Sequence, residues 1–165
     1  MGDRETIRAF LATGNTLALA TVGRDGTPHT TPLFYLLDED LRLCWFSSRS
    51  SAHSRNLRLN PAAAVTVFRP AELWQDIRGV QMRGTVVTVT GQARRGITPI
   101  YAERFHLGPD FEPVIARSGL YAFDPSWVRY IDNSKGFGYR FEWTATGSKG
   151  TAATVGSGRR RPRSI

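Results

Sequence analysis

Apolar and polar residues alternate with a period of two along most of this chain, and Gly, Pro, Asn and Asp break the alternation at short intervals. That pattern specifies β-strands joined by turns. Thr16–Val22 (TLALATV) is the first strand, and the GRDGT after it is a turn carrying two glycines. Residues 27–37 alternate next, with Thr30, Pro32, Phe34 and Leu36 on one side and Thr31, Leu33, Tyr35 and Leu37 on the other. Both sides are largely apolar, which predicts a strand covered on both faces. Pro28 and Pro32 remove ladder donors and place that strand at a sheet edge or a bulge, leaving other backbone groups free to meet a ligand. Residues 41–46 and 63–68 read as further strands. A long run over 77–90, interrupted by Gly79 and Gly84, could bend and serve two sheets. Residues 120–124 break at Pro125 and resume at 127–132, and 137–143 form a last strand or a terminal flap.

A different period marks the helices. Asp3–Ala12 puts Ile7, Phe10 and Leu11 on one face and stops before Gly14. Thr98 followed by Pro99 predicts a helix over 99–104, and 113–117 suggests another turn. About six strands with short helices inserted between them argue for a mainly β fold, an antiparallel barrel with helical decorations.

One stretch organises the candidate chemistry. Residues 47–61 (SSRSSAHSRNLRLNP) separate two strands, and a helix there would start near Ser50 or Ser51 and end before Asn60-Pro61. Four serines, Arg49, His53 and Arg55 gather at its N-terminus, where free N–H groups, hydroxyls and cations suit a phosphate or similar anion. The same residues also suit an ordinary capped surface helix, and Asn56 reads as a helix-surface or cap residue. Trp45 and Trp74 read as core or interface aromatics, and Trp127 fits a core equally well. Gln81, in a strand of Val, Ile, Gly and Thr, needs a partner for its amide, and a cofactor is one. Arg78 and Arg83 are an odd number of residues apart, so at most one of them faces a shared site.

The formal charge of +8 on 165 residues looks like a nucleic-acid signal until it is located. Lys149, Arg159, Arg160, Arg161 and Arg163 carry five of the positive charges, leaving 17 basic against 14 acidic residues in the body. A single domain over residues 1–143, followed by a disordered Gly/Ser/Arg-rich basic tail over 144–165, is the expected organisation. Nucleic acid is therefore not the expected partner. Cys44 is the only cysteine, which excludes disulfides and cysteine-based zinc sites, and no apolar run approaches a membrane span. Together with the absence of a signal-peptide core, this predicts a cytoplasmic protein.

Metal-type spacing of His29, His53 and His106 is lacking, as are phosphate-binding glycine loops and a GxSxG elbow. Few acid–base groups beside many hydrogen-bond donors suit a bound cofactor that does the chemistry. In order, HTTPLFYLLDEDLRLCWFSS, RSSAHSRNLRLNPAAAVTVF, WQDIRGVQMRGTVVTV and WVRYIDNSKGFGYRFEW resemble the pyridoxamine 5'-phosphate oxidase-like, FMN-binding split-barrel proteins, over roughly residues 3–143.

That resemblance implies a six-stranded antiparallel split β-barrel forming a homodimer, with FMN at the subunit interface. It implies that Thr30, Thr31, Pro32 and Leu33 run along the flavin ring and that Ser47, Ser48 and Ser51 hold the phosphate. His53 stands where the family often has a phosphate-contacting lysine. Gln81 would meet the flavin edge, while Trp127 and Asn133 would reach the other subunit's site. It implies no metal and no particular catalytic residue. The arginine- and histidine-bearing segment that grips vitamin B6 phosphates is missing, so vitamin B6 oxidation is not expected. The function implied is an FMN-dependent oxidoreductase using NADH, NADPH or another small electron donor or acceptor. The alternative is a carrier that binds flavin, deazaflavin F420 or haem without turnover, with His29 and His53 as conceivable haem ligands.

Overall fold

Barrel closure here depends on one stretch of chain doing two jobs. In a computed structural model describing residues 2–145, β1 (Thr16–Val22) pairs antiparallel with β2 (Pro28–Phe34), while the two-residue β3 (Leu36–Leu37) just beyond pairs with β4 (Leu43–Ser47). With β5 (Ala62–Phe68), β6 (Arg78–Val89) and β7 (Gly119–Asp132), the strand order is β2-β1-β5-β6-β7-β4-β3. Residues 28–37 thus sit at both ends of the sheet and curl it into a barrel. Counting β2 and β3 as one strand, β8 (Arg140–Thr144) is the seventh and lies on β7. The count is therefore seven, not six: residues 137–143 are no loose flap, because 140–144 add a ladder to the far half of β7.

β6 and β7 form the long ribbon that lets one sheet face two ways. β6 pairs with β7 along its whole length, while β5 covers only its first half and β4 covers only the opposite end of β7. A register shift between Arg83 and Gly84 bends the ribbon opposite Pro125, which stays within a continuous β7 instead of breaking it. Inward-facing Leu17, Leu19, Val65, Val67, Val80, Met82 and Val128 fill the barrel with Tyr35, Trp45 and Phe123, all nearly inaccessible to solvent. Each large side chain so buried contributes about 1.5–3 kcal/mol.

Helices plug the ends. α1 (Asp3–Ala12) forms as its spacing predicts, with Ile7 and Leu11 fully buried and the Tyr35 hydroxyl donating to Leu11 O at 2.6 Å. α2 (Ala52–Leu59) has Ser51 as N-cap, accepting from the Ser54 amide, and ends at Asn60. α3 (Gly91–Arg104) begins well before the expected position and carries Pro99 in its interior. Packing overrides the local stop signals: Ile97 and Tyr101 rest on the barrel, and Arg94 lies over the Phe46 ring and donates to Ile115 O in α4 (Glu112–Arg117). The Thr98 hydroxyl donates back to Arg94 O within the helix instead of capping it. An aromatic chain, Phe46–Tyr101–Phe105–Phe34, runs from the end of β4 through α3 to the end of β2.

Two expectations change. Residues 27–37 are not covered on both faces: Thr30, Pro32 and Phe34 are exposed, whereas Thr31 and Leu33 are half-buried and Tyr35 is buried. Trp45 is core, while Trp74 is about half exposed, as an interface aromatic would be in a single chain. Of the basic tail expected over 144–165, Thr144 ends β8, and residues 146–165 lie outside the described residues.

A Cβ at Gly84 would sit 2.0 Å from Asp124 O and 3.0 Å from the Phe123 ring. Gly84→Ala is expected to destabilise the fold by about 1–3 kcal/mol, read as a lower midpoint in chemical denaturation. Gly96, in α3 with open space around it, gives the contrast: Gly96→Ala is expected to stabilise by roughly 0.5–1 kcal/mol.

Candidate functional site

The serine-rich segment folds into a tight cluster because β4 ends where α2 begins. Ser47 closes β4, the chain turns through Ser48–Ser50, and the Ser51 amide donates to Ser48 O. Helix geometry leaves the first amides of α2 without intrahelical acceptors, and Ser51 Oγ takes the Ser54 amide. His53 turns inward and is 6% exposed, with Ser47 Oγ at 2.7 Å and Ser51 Oγ at 3.0 Å from its Nε2. A neutral ring nitrogen offers either one proton or one lone pair, so it satisfies one of the two hydroxyls at a time. Ser51 Oγ also has Ser48 O (2.9 Å) and Ser54 Oγ (2.8 Å) within donating reach, so Ser47 Oγ is the hydroxyl with fewer partners inside the cluster. Ser48 and Ser50 hydroxyls lie 2.9 Å apart at the exposed lip.

α2 docks on the ends of β1 and β2, through Asn56 donating to Thr21 Oγ1 (3.1 Å) and Leu57 in the core. This docking brings His29 of β2 against His53, ring centroids 6.4 Å apart and 30° between planes. His29 Nδ1 is buried and has no hydrogen-bond partner. Burial, helped by the neighbouring His29, holds the His53 imidazole below its ordinary pKa.

β2 carries the cluster outward. It pairs with β1 on one edge, and its other edge has no strand partner among the described residues, which accommodates Pro28 and Pro32. Register aligns Thr30, Ala20, Ala64, Arg83 and Trp127 in one row across the barrel's outer face, and Pro32, Ala18, Thr66, Gln81 and Arg129 in the next. Alanines in the middle of both rows leave a shallow trough of about 360 Å³, with Thr30 on one wall and Gln81, Arg83 and Trp127 on the other. Trp127 donates from Nε1 to Glu142 at 3.0 Å and is flanked by the Arg83 and Arg129 guanidinium groups, 4.5 and 5.1 Å from its ring centre. Arg129 is paired with Glu142 at 2.7 Å; Arg83 has no acidic partner among the described residues.

The ten candidate residues therefore fall in two groups joined by one strand. Ser47, Ser48, Ser51 and His53 form the cluster at the mouth of α2. Thr30, Gln81 and Trp127 line the trough. Thr31 and Leu33 turn toward the barrel and Pro32 lies on the outer face. Asn133 is spent inside its own chain, donating to Trp74 O and accepting from the Gly138 amide. Arg78 pairs with Asp132 at 3.1 Å, leaving Arg83 as the arginine that faces the trough. Two residues already considered take their places in the site only here. Arg83 shares the parity of Gln81, and that signal was available. His29 meets His53 only because α2 folds back onto β2, which no spacing announces. Among the described residues no cluster of three or more His, Cys, Asp or Glu could hold a metal, and burial pushes the Cys44 thiol to about 11, making it a poor nucleophile. No helix among them is long and apolar enough to cross a membrane.

The sequence profile described as pyridoxamine 5'-phosphate oxidase matches residues 4–132. A UPF0306 protein of Photorhabdus laumondii is 23% identical over 140 residues, covering 84% of this chain and 94% of its own. Among solved structures, a conserved hypothetical protein of Mycobacterium tuberculosis aligns with a TM-score of 0.70 at 22% identity, over 91% of this chain and 95% of that one. A heme-binding protein of Mycobacterium smegmatis gives 0.70 at 19%, covering 87% of this chain, which spans only 58% of that protein's length. A FAD-binding protein of Mesorhizobium loti gives 0.60 at 17%, over 78% of this chain and 92% of that one. At these identities the structural likenesses carry the split-barrel fold alone.

His53 makes stability depend on pH. Its folded-state pKa lies below the unfolded value of about 6.5, so the unfolded chain binds the extra proton more readily. This contribution is fully present above about pH 6.5 and is lost as the pH falls through the lowered folded-state value. Denaturation midpoints measured from pH 8 down to 5 are expected to drop on the acid side, and the drop is expected to flatten in His53→Gln.

Proposed function

The chain belongs to the pyridoxamine 5'-phosphate oxidase family, and from that premise we propose that it binds FMN without a covalent link and acts as a flavin-dependent oxidoreductase. The observation that carries this reading is the layout of β2. A donor-rich anion cluster stands at one end, and an outer-face trough floored by small residues opens beside the same strand. Both parts fit the group. The hydroxyls of Ser47, Ser48 and Ser51, the first amides of α2 and the His53–His29 pair suit a phosphate monoester. Ala18, Ala20 and Ala64 carry nothing beyond Cβ, so a planar ring system can lie flat across strands spaced about 4.8 Å apart.

A bound flavin supplies hydride transfer with NADH, NADPH or a similar small molecule. The residues orient and insulate it. Thr30–Leu33 present a strand whose outer edge is unpaired among the described residues, Gln81 offers an amide to the ring edge, and Arg83 places a positive charge at the trough. No side chain need act as acid or base in that transfer. The trough is open to solvent, and a second copy of this chain is its proposed roof, making the working unit a homodimer.

Purified protein is expected to be yellow, to release FMN on denaturation by mass spectrometry, and to bleach on anaerobic addition of NADH or NADPH. Ala64→Leu, which fills the trough, and Ser51→Ala, which removes a cluster hydroxyl, are each expected to weaken FMN binding at least about tenfold. Colourless protein that takes up no added FMN would sink the reading. Yellow protein inert to reductants would make it a carrier. A Soret band in place of flavin bands would move the assignment to haem, with His29 Nδ1 as the available ligand, and a deazaflavin mass would move it to F420.

A further inference from the structure

Resting on the anion-site reading above, the inference concerns how that site obtains its charge. Its donors are hydroxyls and amides, and the position that faces the cluster from α2 is an imidazole instead of a fixed ammonium. Arg55 and Arg58, the cations of α2, are turned to the carbonyls of Ser50 and Arg49. Arg49 belongs to the exposed loop, and Arg24 and Asp25 lie in the β1–β2 turn, where Asp25 accepts from the Thr27 amide. β1 contributes Thr21 and β4 contributes Ser47 to this neighbourhood, both neutral. None of the ion pairs among the described residues involves either imidazole. The charged form of His53 is therefore opposed by burial and, if both rings are protonated, by His29 stacked 6.4 Å away.

We infer that His29 and His53 form a proton-coupled anion clamp: seating a phosphate monoester at the mouth of α2 brings at least one proton onto the pair. Three geometric facts converge on it. His53 Nε2 is already within hydrogen-bond reach of both cluster hydroxyls, so protonation turns it into a charged donor at the point where they meet. His29 Nδ1 is buried without a partner, a polar atom left unsatisfied by the protein alone. The rings are close enough that one shared charge is stabilised by the ligand while two charges repel, so the pair acts as a unit. A monoester phosphate, whose second ionisation lies near pH 6, brings nearly two negative charges above neutral pH and draws in the proton. A neutral ligand, or an anion with its charge elsewhere, does not. The pair thus distinguishes FMN from riboflavin by proton uptake.

The linkage has a definite sign. Between pH 6.5 and 8.5 the phosphate is already mostly dianionic, so a fall in affinity across that window reports the imidazoles. FMN affinity, measured by titration of full-length protein, is expected to weaken roughly five- to tenfold from pH 6.5 to 8.5 while riboflavin affinity stays flat. Calorimetry in buffers of different ionisation enthalpy is expected to show a fraction of a proton to one proton taken up with FMN and none with riboflavin. His53→Gln and His29→Asn, which keep a hydrogen-bonding atom and remove the titration, are expected to bind FMN more weakly at pH 6.5 and with a shallower pH slope. Side-chain NMR of the two histidines, titrated without ligand and with tens of millimolar inorganic phosphate, gives a readout independent of flavin. Phosphate is expected to raise the titration midpoint of at least one ring. FMN binding with no pH slope and no proton uptake would overturn the clamp while leaving the flavin reading intact. Absence of FMN binding, with phosphate still raising the midpoints, would overturn the flavin reading and keep the clamp. Midpoints unmoved by phosphate and unchanged with FMN bound would overturn the clamp outright.

Discussion

The fold depends on the hydrogen-bonded closure made by residues 28–37, which pair with β1 through their first part and with β4 through their last. A single strand shared between two ladders cannot lie flat against both neighbours over its whole length. β2 therefore ends with one edge unpaired among the described residues, and the barrel is split at that edge. The interior fixes the register, because a slip of one residue would turn Leu17, Leu19, Val65, Val67, Val80 and Met82 out to solvent. The aromatic chain from Phe46 to Phe34 across α3 holds the strands flanking the split at a set distance. Tyr35, buried between β2 and β3 and hydrogen-bonded to Leu11 O, fixes the turn at the seam.

Closure of this kind also explains why the chemistry gathers on the outside. Small side chains at Ala18, Ala20 and Ala64 contribute nothing to the packed interior, yet they stand in register across neighbouring strands. Bulkier residues there would have removed the trough without strengthening the core. Electrostatics divides along the same line. The trough has its charged groups arranged around Trp127, with Arg83 lacking an acidic partner among the described residues, whereas the cluster at α2 is built from hydroxyl and amide donors, with Arg55 and Arg58 turned to backbone carbonyls. A site of that second kind binds an anion by hydrogen bonds first, and its ionisable groups respond to the ligand instead of attracting it from a distance.

Much of the frame was legible because it is local. Alternation located most of the strands to within a residue or two, β8 starting three residues later than expected, and Ser51, Asn60 and the 3.6-residue spacing of Ile7, Phe10 and Leu11 gave α2 and α1 nearly as observed. The errors have tertiary causes. α3 starts before Gly96 because Arg94 and Ile97 have partners on the barrel, and those partners outweigh a weak local propensity. β7 passes through Pro125 because a bulge within β7 itself, with Ser126 as the extra residue opposite Arg83 and Gly84, absorbs the bend. Residues 28–34 are covered on one face only, and the exposed face became the trough wall. Asn133 is consumed by two backbone groups that fold over it from elsewhere in the chain.

The sequence by itself determined the strands, the helix mouth, the serine and histidine content of the anion cluster, and the absence of metal-type spacing, since each depends on neighbours within a few residues. Only the tertiary structure decided which of those parts share a site. Register across the strands set Thr30, Gln81 and Trp127 around one floor, and the docking of α2 set His29 against His53. Such pairings are fixed by the burial of an interior that involves none of these residues, so no local pattern among them could foretell the result.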